Sequence, residues 1–301
     1  MRIGTLHMFR QGVNGMLDQQ VKLFNTQNQL STGKRINNPS DDPTSAARLV
    51  GLSESAKTTA QYQDNILAAR TRLELEEAAL GSVGDALLRV RELAVAGQNN
   101  TYGLQERTAL ALEIRQLADE VMGLGNRKQA NGQFMFSGYQ VQTTPFSETA
   151  PGVFSYAGDQ GQRLIQVGPA RQIADGDSGQ AVFMDIPDGG GGFESVFATL
   201  ENLATNLEAN IAPNAADLAQ MDRAMEHLVG FRAAGGARLN ALENQHAINE
   251  TMLLQLEVTR SSIEDLDYAE AASRLSLESI VLQAAQQAFV KVQNLNLFNF
   301  L

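Results

Sequence analysis

Apolar residues recur at helical spacing over most of this chain and at strand spacing over one block near its middle. Leu6, Phe9, Val13, Met16, Leu17, Val21 and Phe24 follow mostly at three- and four-residue steps, which predicts an amphipathic helix over about 5–32. Gly33 is a good stop for it. The run from Asn37 to Asp41 is turn chemistry, and Asp42 followed by Pro43 reads as an N-cap with proline in the first helical position. From there to about Ala96, the residues Tyr62, Ile66, Ala69, Leu73, Leu80, Val83, Leu87, Val90 and Ala94 hold one three-four seam, broken only at Glu76. That is coiled-coil periodicity, and a helix of this length runs roughly 80 Å. A third helix is predicted over about 104–128, with Leu110, Ile114, Leu117, Val121 and Leu124 on one face.

Between Gly132 and Gly192 the character changes. Short strand-like runs cover 153–156, 163–167 and 181–186, with 157–162 reading as a hairpin loop and the four glycines 189–192 as a flexible exit. Helices resume at Phe193. After Pro213 a second long seam passes through Leu218, Met221, Met225, Leu228, Leu239, Leu242, Leu253 and Leu256, interrupted at Arg232, Gly235, His246 and Asn249. A last helix starts at Ile263 and carries Tyr268, Ala271, Leu275, Leu282, Ala285, Phe289 and Val292. The pattern predicts a mainly α protein. Its N- and C-terminal halves form a long antiparallel coiled-coil bundle, with a small β-rich domain inserted.

Both terminal stripes are built for burial. Five of the residues 295–301 are apolar. Chain ends are ordinarily polar and frayed, so these point to burial against each other and against further molecules. For an arbitrary protein the plainer reading is a pair of core helices in a monomer.

Composition narrows the function. The 301 residues carry a net charge of −11, which argues against a nucleic-acid partner and an anionic membrane surface. There is no cysteine, so stability must come from packing and assembly. The first 25 residues show no signal-peptide pattern, and no stretch is apolar enough for a membrane span. The three histidines, His7, His227 and His246, have no metal-ligand spacing, and no cofactor is expected. Lys34 and Arg35 read as solvated turn residues, and Glu257, Glu264, Asp265 and Asp267 as a solvated face. An enzymatic insert would need a His-Glu-x-x-His helix or a Gly-x-Ser-x-Gly elbow, and the sequence contains neither.

Four segments carry a specific resemblance. Residues 30–43, reading Leu-Ser-Thr-Gly-Lys-Arg-Ile-Asn-Asn-Pro-Ser-Asp-Asp-Pro, closely resemble the hallmark segment of the bacterial flagellin superfamily. Residues 89–94, 131–138 and 262–269 resemble further segments of that superfamily, in its order. The Asn-Pro-Ser-Asp-Asp-Pro form at 38–43, the start Met1-Arg2-Ile3-Gly4-Thr5 and the ending from Leu295 to Phe298 are similar to its hook–filament junction branch. The alternative within the superfamily is a flagellin that forms the filament itself.

The resemblance implies a structural subunit with no catalytic role. Such subunits leave the cell unfolded through the flagellar type III system and assemble outside it as a homo-oligomeric ring at the hook–filament junction. The implied partners are the first hook-associated protein on the hook side, flagellin on the filament side, and an export chaperone at the C-terminal helix. The corresponding division is 1–42 and 261–301 for inner-tube helices, 43–139 and 193–260 for the two halves of a helical domain, and 140–192 for a β-rich outer insert. The expected assembly interface comprises Leu6, Phe9, Val13, Leu17, Phe24, Leu275, Leu282, Phe289, Val292, Leu295, Leu297 and Phe298.

Overall fold

The computed structural model describes the chain over residues 2–294, with side chains from His7 to Lys291 except that of Met8. Among the described residues there are six α-helices: α1 (Arg2–Thr32), α2 (Pro43–Gly97), α3 (Leu104–Gly125), α4 (Val196–Glu208), α5 (Ala215–Glu264) and α6 (Tyr268–Asn294). The chain divides into two compact units. One joins Met1–Thr59 to Thr251–Leu301, and the other is Ala60–Glu250.

Punctuation sets the helix ends. Gly33 takes a left-handed φ of +71° and closes α1. Asp42 caps α2, its Oδ1 accepting from the Ser45 N–H at 3.0 Å, and the hydrogen bonds from Ser45 hold this carboxyl below its usual range. α3 ends three residues before its predicted stop because Asn126 turns to strand duty. Its side chain donates to the Phe146 carbonyl at 3.0 Å and accepts from the Phe146 N–H at 2.9 Å. The predicted helix start at Ile263 is also corrected: α5 runs on to Glu264, and Asp267 caps α6 by accepting from Ala269 N–H at 2.9 Å and Glu270 N–H at 3.1 Å.

Within the second unit, α2 and α5 lie antiparallel. Arg91 meets Asp222 at 2.6 Å, Arg232 pairs with Glu77 at 2.7 Å, and Gln63 donates to the His246 carbonyl at 3.0 Å. The seam of α2 is buried as its spacing requires, with Leu80, Val83, Leu87 and Val90 packed with Met221, Ala224 and Leu228 in one core. α3 packs on α4, with Arg115 bridging Glu201 and Glu208. Part of this core is aromatic: the Phe146 ring centroid lies 5.2 Å from Phe183, 5.0 Å from Phe197 and 5.3 Å from Tyr156.

The β-rich block is three separate hairpins. β1 (Phe146–Ala150) pairs with β2 (Val153–Tyr156), β3 (Leu164–Gly168) with β4 (Arg171–Ala174), and β5 (Ile186–Pro187) with β6 (Phe193–Glu194), each antiparallel. Three expectations fail here. Residues 157–162 join two hairpins instead of closing one, because β2 and β3 each find a partner on their far side. The predicted strand over 181–186 is mostly a π-helical turn, Gln180–Met184. A strand would send Val182 and Phe183 to opposite faces, whereas the turn buries both in the aromatic core. Finally, the four glycines are the tight loop of the third hairpin. Asp188 Oδ1 accepts from Gly190 N–H at 2.7 Å and Gly192 N–H at 2.9 Å, which also depresses its pKa.

Side-chain amides seat the second hairpin on the helices. Asn65 of α2 donates to the Gln166 carbonyl at 2.8 Å, and the buried Asn249 of α5 donates to Val167 O at 2.9 Å. Asn249, an interruption of the α5 seam in the sequence, is therefore a docking residue.

Candidate assembly interface

In the first unit α1 and α6 pack side by side. The rings of Phe9 and Phe289 are 5.1 Å apart, Phe289 covers Gly12, and Gln19 donates to the Glu278 carbonyl at 3.4 Å. Partners step back along α6 as they step forward along α1, so the pair is antiparallel. Gly12 permits the approach, since a Cβ there would sit 3.1 Å from the Phe289 ring.

Of the residues expected at an interface, Val13, Leu275, Leu282 and Phe289 are half-buried. Phe9 touches Phe289 yet stays 45% exposed. Leu17 and Phe24 are 52% and 67% exposed, and Val21 between them is 58% exposed. Leu295, Leu297 and Phe298 lie outside the described residues, and Leu6 and Val292 fall within α1 and α6 but outside the described side chains. On α6 an apolar set absent from the expected interface, Leu277, Ile280 and Val281, is also exposed. Its three- and four-residue steps are visible in the sequence, beside the stripe of Leu275 and Leu282. Pairing therefore leaves apolar side chains exposed on each helix: Leu17, Val21 and Phe24 on α1, and Leu277, Ile280 and Val281 on α6.

A clasp sets the start of this pair. The segment after α1 and the segment between α5 and α6 run antiparallel for a short bridge. Arg35 N–H donates to the Glu264 carbonyl at 2.7 Å, and Leu266 N–H to the Gly33 carbonyl at 3.0 Å. The Arg35 guanidinium adds a bond to the Ile263 carbonyl at 2.8 Å, and Lys34 pairs with Glu264. Ile36 and Leu266 are buried. Two sequence readings change accordingly. Lys34 and Arg35 are half of an intrachain clasp, and Glu264, with its side chain 14% exposed, is an ion-pair partner of Lys34 and Arg260 and not part of a solvated face.

Gly33 is the tightest point of the clasp. A Cβ there would lie 2.7 Å from the Tyr268 hydroxyl, at a φ that L side chains rarely adopt. Gly33→Ala is expected to destabilise the clasp by about 1–2 kcal/mol or more, from left-handed strain plus the clash. Adding Tyr268→Phe should recover the clash but not the strain, because the next ring atom is 3.7 Å away. Amide exchange at Arg35 and Leu266 reads both variants; equal protection in all three proteins would contradict this account.

Among the described residues, no helix is long and apolar enough to cross a membrane, and no group of three or more His, Cys, Asp or Glu side chains could hold a metal ion. His227 instead bonds the Ala181 carbonyl at 2.8 Å and stacks edge-on with Phe231.

The sequence matches the bacterial flagellin N-terminal helical region over residues 3–141 and the bacterial flagellin C-terminal helical region over 218–301. It is 30% identical to flagellar hook-associated protein 3 of Escherichia coli K12, covering 99% of both chains. Against flagellar hook-associated protein 3 of Salmonella typhimurium it is 28% identical, again with 99% coverage of both. The fold is that of the hook-associated protein-3 structure from Legionella pneumophila, at a TM-score of 0.67 and 22% identity, over 70% of this chain and 98% of that one. Matched at both helical ends and along its whole length, the chain belongs to the bacterial flagellin superfamily, on its hook-associated branch.

Proposed function

We propose that this chain is a structural subunit of the bacterial flagellum that forms the hook–filament junction on which flagellin polymerises. The end-to-end kinship with hook-associated protein 3 carries the reading. The uncovered apolar stripe of the α1–α6 pair supports it physically, because a subunit of a tube must keep such a surface for its neighbours. In this reading Leu6, Phe9, Val13, Leu17, Phe24, Leu275, Leu282, Phe289, Val292, Leu295, Leu297 and Phe298 belong to the wall formed by residues 1–42 and 261–301. Residues 43–139 and 193–260 make the next shell, and 140–192 face outward.

The subunit crosses the envelope unfolded through the flagellar type III system. Its C-terminal helix is shielded by an export chaperone until it assembles outside the cell as a ring. The first hook-associated protein lies beneath that ring and flagellin above it. The protein performs no catalysis; burial supplies what assembly needs. Deleting the gene should leave intact hooks, no filaments, and flagellin released into the medium, as seen by electron microscopy and immunoblotting of culture supernatant. Filaments of normal length in the deletion strain would refute the junction role, and copies in the thousands per filament would assign the chain to the filament itself.

A further inference from the structure

The second unit holds a buried charged cluster, apart from the α1–α6 pair. Glu76, where the α2 seam breaks, is 4% exposed. Its Oε1 accepts from the Asp177 N–H at 3.0 Å, and its Oε2 meets no protein donor. The loop 175–178, which follows β4, carries the buried carboxylates of Asp175 and Asp177, and Asp177 faces Glu76. Arg238 of α5 is committed to Asp177, at 2.7 and 3.0 Å from its two oxygens. Arg72, one turn earlier on α2, faces Asp175 at 3.4 Å, and Arg163, which leads into β3, also pairs with Asp175. Glu77, the next residue on α2, pairs with Arg232 through its Oε1. No guanidinium N–H donates to Glu76 among the described residues. Gln162 completes the site by donating to Asp177 Oδ1 at 2.6 Å.

An ionised Glu76 would thus be a buried charge beside a second carboxylate, and the two guanidinia that favour its charge, Arg238 and Arg72, are already engaged by Asp177 and Asp175. A neutral Glu76 fits: Oε1 keeps its bond from Asp177 N–H, and Oε2 carries the proton. We propose that Glu76 is a proton-binding site that latches the insert to the helices: neutral, it lets the 175–178 loop sit on α2 and α5, and on losing its proton to solvent it drives that loop off. Burial first, and the Asp177 carboxylate second, push the Glu76 pKa from 4.5 up to about 8. The sign follows from linkage. The docked loop holds a proton that the open loop releases, so docking is firmest below the ordinary carboxylate range and is lost as pH rises through the raised value.

Hydrogen exchange on the full chain tests this. After correction for intrinsic rates, protection of amides in 162–185 should fall by about tenfold per pH unit between roughly pH 5 and 8 in the parent. Glu76→Gln, which copies the neutral acid and has no proton to lose, should stay flat over the same range. The infrared carbonyl band of a protonated carboxyl should persist in the parent to near pH 8 and be absent from Glu76→Gln. Equal pH slopes in the two proteins, or a carboxyl band gone by pH 6, would overturn the proposal. If the variant fails to fold, the infrared titration of the parent alone decides.

Discussion

Leu17→Asp with Phe24→Asp should give a protein that folds as the parent does and no longer assembles. Both side chains are more than half exposed, so their loss removes little from the monomer, within about 0.5 kcal/mol each. In an assembly that covers them, each forfeits the burial of its exposed part, roughly 1–2 kcal/mol, and a buried unpaired carboxylate costs more. Together they should weaken association by at least about a hundredfold. Circular dichroism should show an unchanged melt, while sedimentation and electron microscopy show monomers and no rings on purified hooks. A lost melt would place these residues in a monomer core instead. Normal rings would remove them from the interface.

The largest expected loss of stability follows Phe146→Ala. This ring is 1% exposed and touches Phe183, Phe197 and Tyr156. Two glycines make its room: a Cβ on Gly125 would lie 3.0 Å from the ring, and one on Gly179 2.7 Å. With so many rigid neighbours the site cannot collapse onto the void, so the change should cost about 3–5 kcal/mol, read from the urea midpoint. Phe146→Leu should cost clearly less. An unaltered midpoint for the alanine variant would show that the aromatic group does not hold the insert to the bundle.

Helices were legible in the sequence where one spacing persists, as along the α2 seam, because every turn repeats the same statement. The β block was legible only in part. Val153–Tyr156 announces a strand by its own composition, but its partner Phe146–Ala150 carries Ser, Glu and Thr and reads as loop. Pairing is a fact about two segments, and only one of them shows it. The turn at 180–184 misled for a related reason: Val182 and Phe183 have strand propensity, and tertiary burial overrides it. Of the α1–α6 pair, the terminal stripes were plain, though not that Leu17, Val21 and Phe24 would stay exposed after pairing. The clasp was half legible. Residues 33–42 were evidently a turn, but nothing local says that Arg35 would find the carbonyls of Ile263 and Glu264. Glu76 appeared only as a flaw in a pattern.

The three hairpins share no hydrogen-bonded edge. Each is held instead by its own grip on the helices or their core: Asn126 for the first, Asn65 and Asn249 for the second, and Arg223 on the Pro187 carbonyl at 3.1 Å for the third. A lone two-stranded hairpin is barely stable in water, so none of them is a free-standing module. Change can consequently be local. One hairpin could be lengthened, shortened or exchanged without unzipping a common sheet, provided its grip survives. The surface of such a protein can diversify piece by piece while the helices beneath stay under the fixed demands of packing.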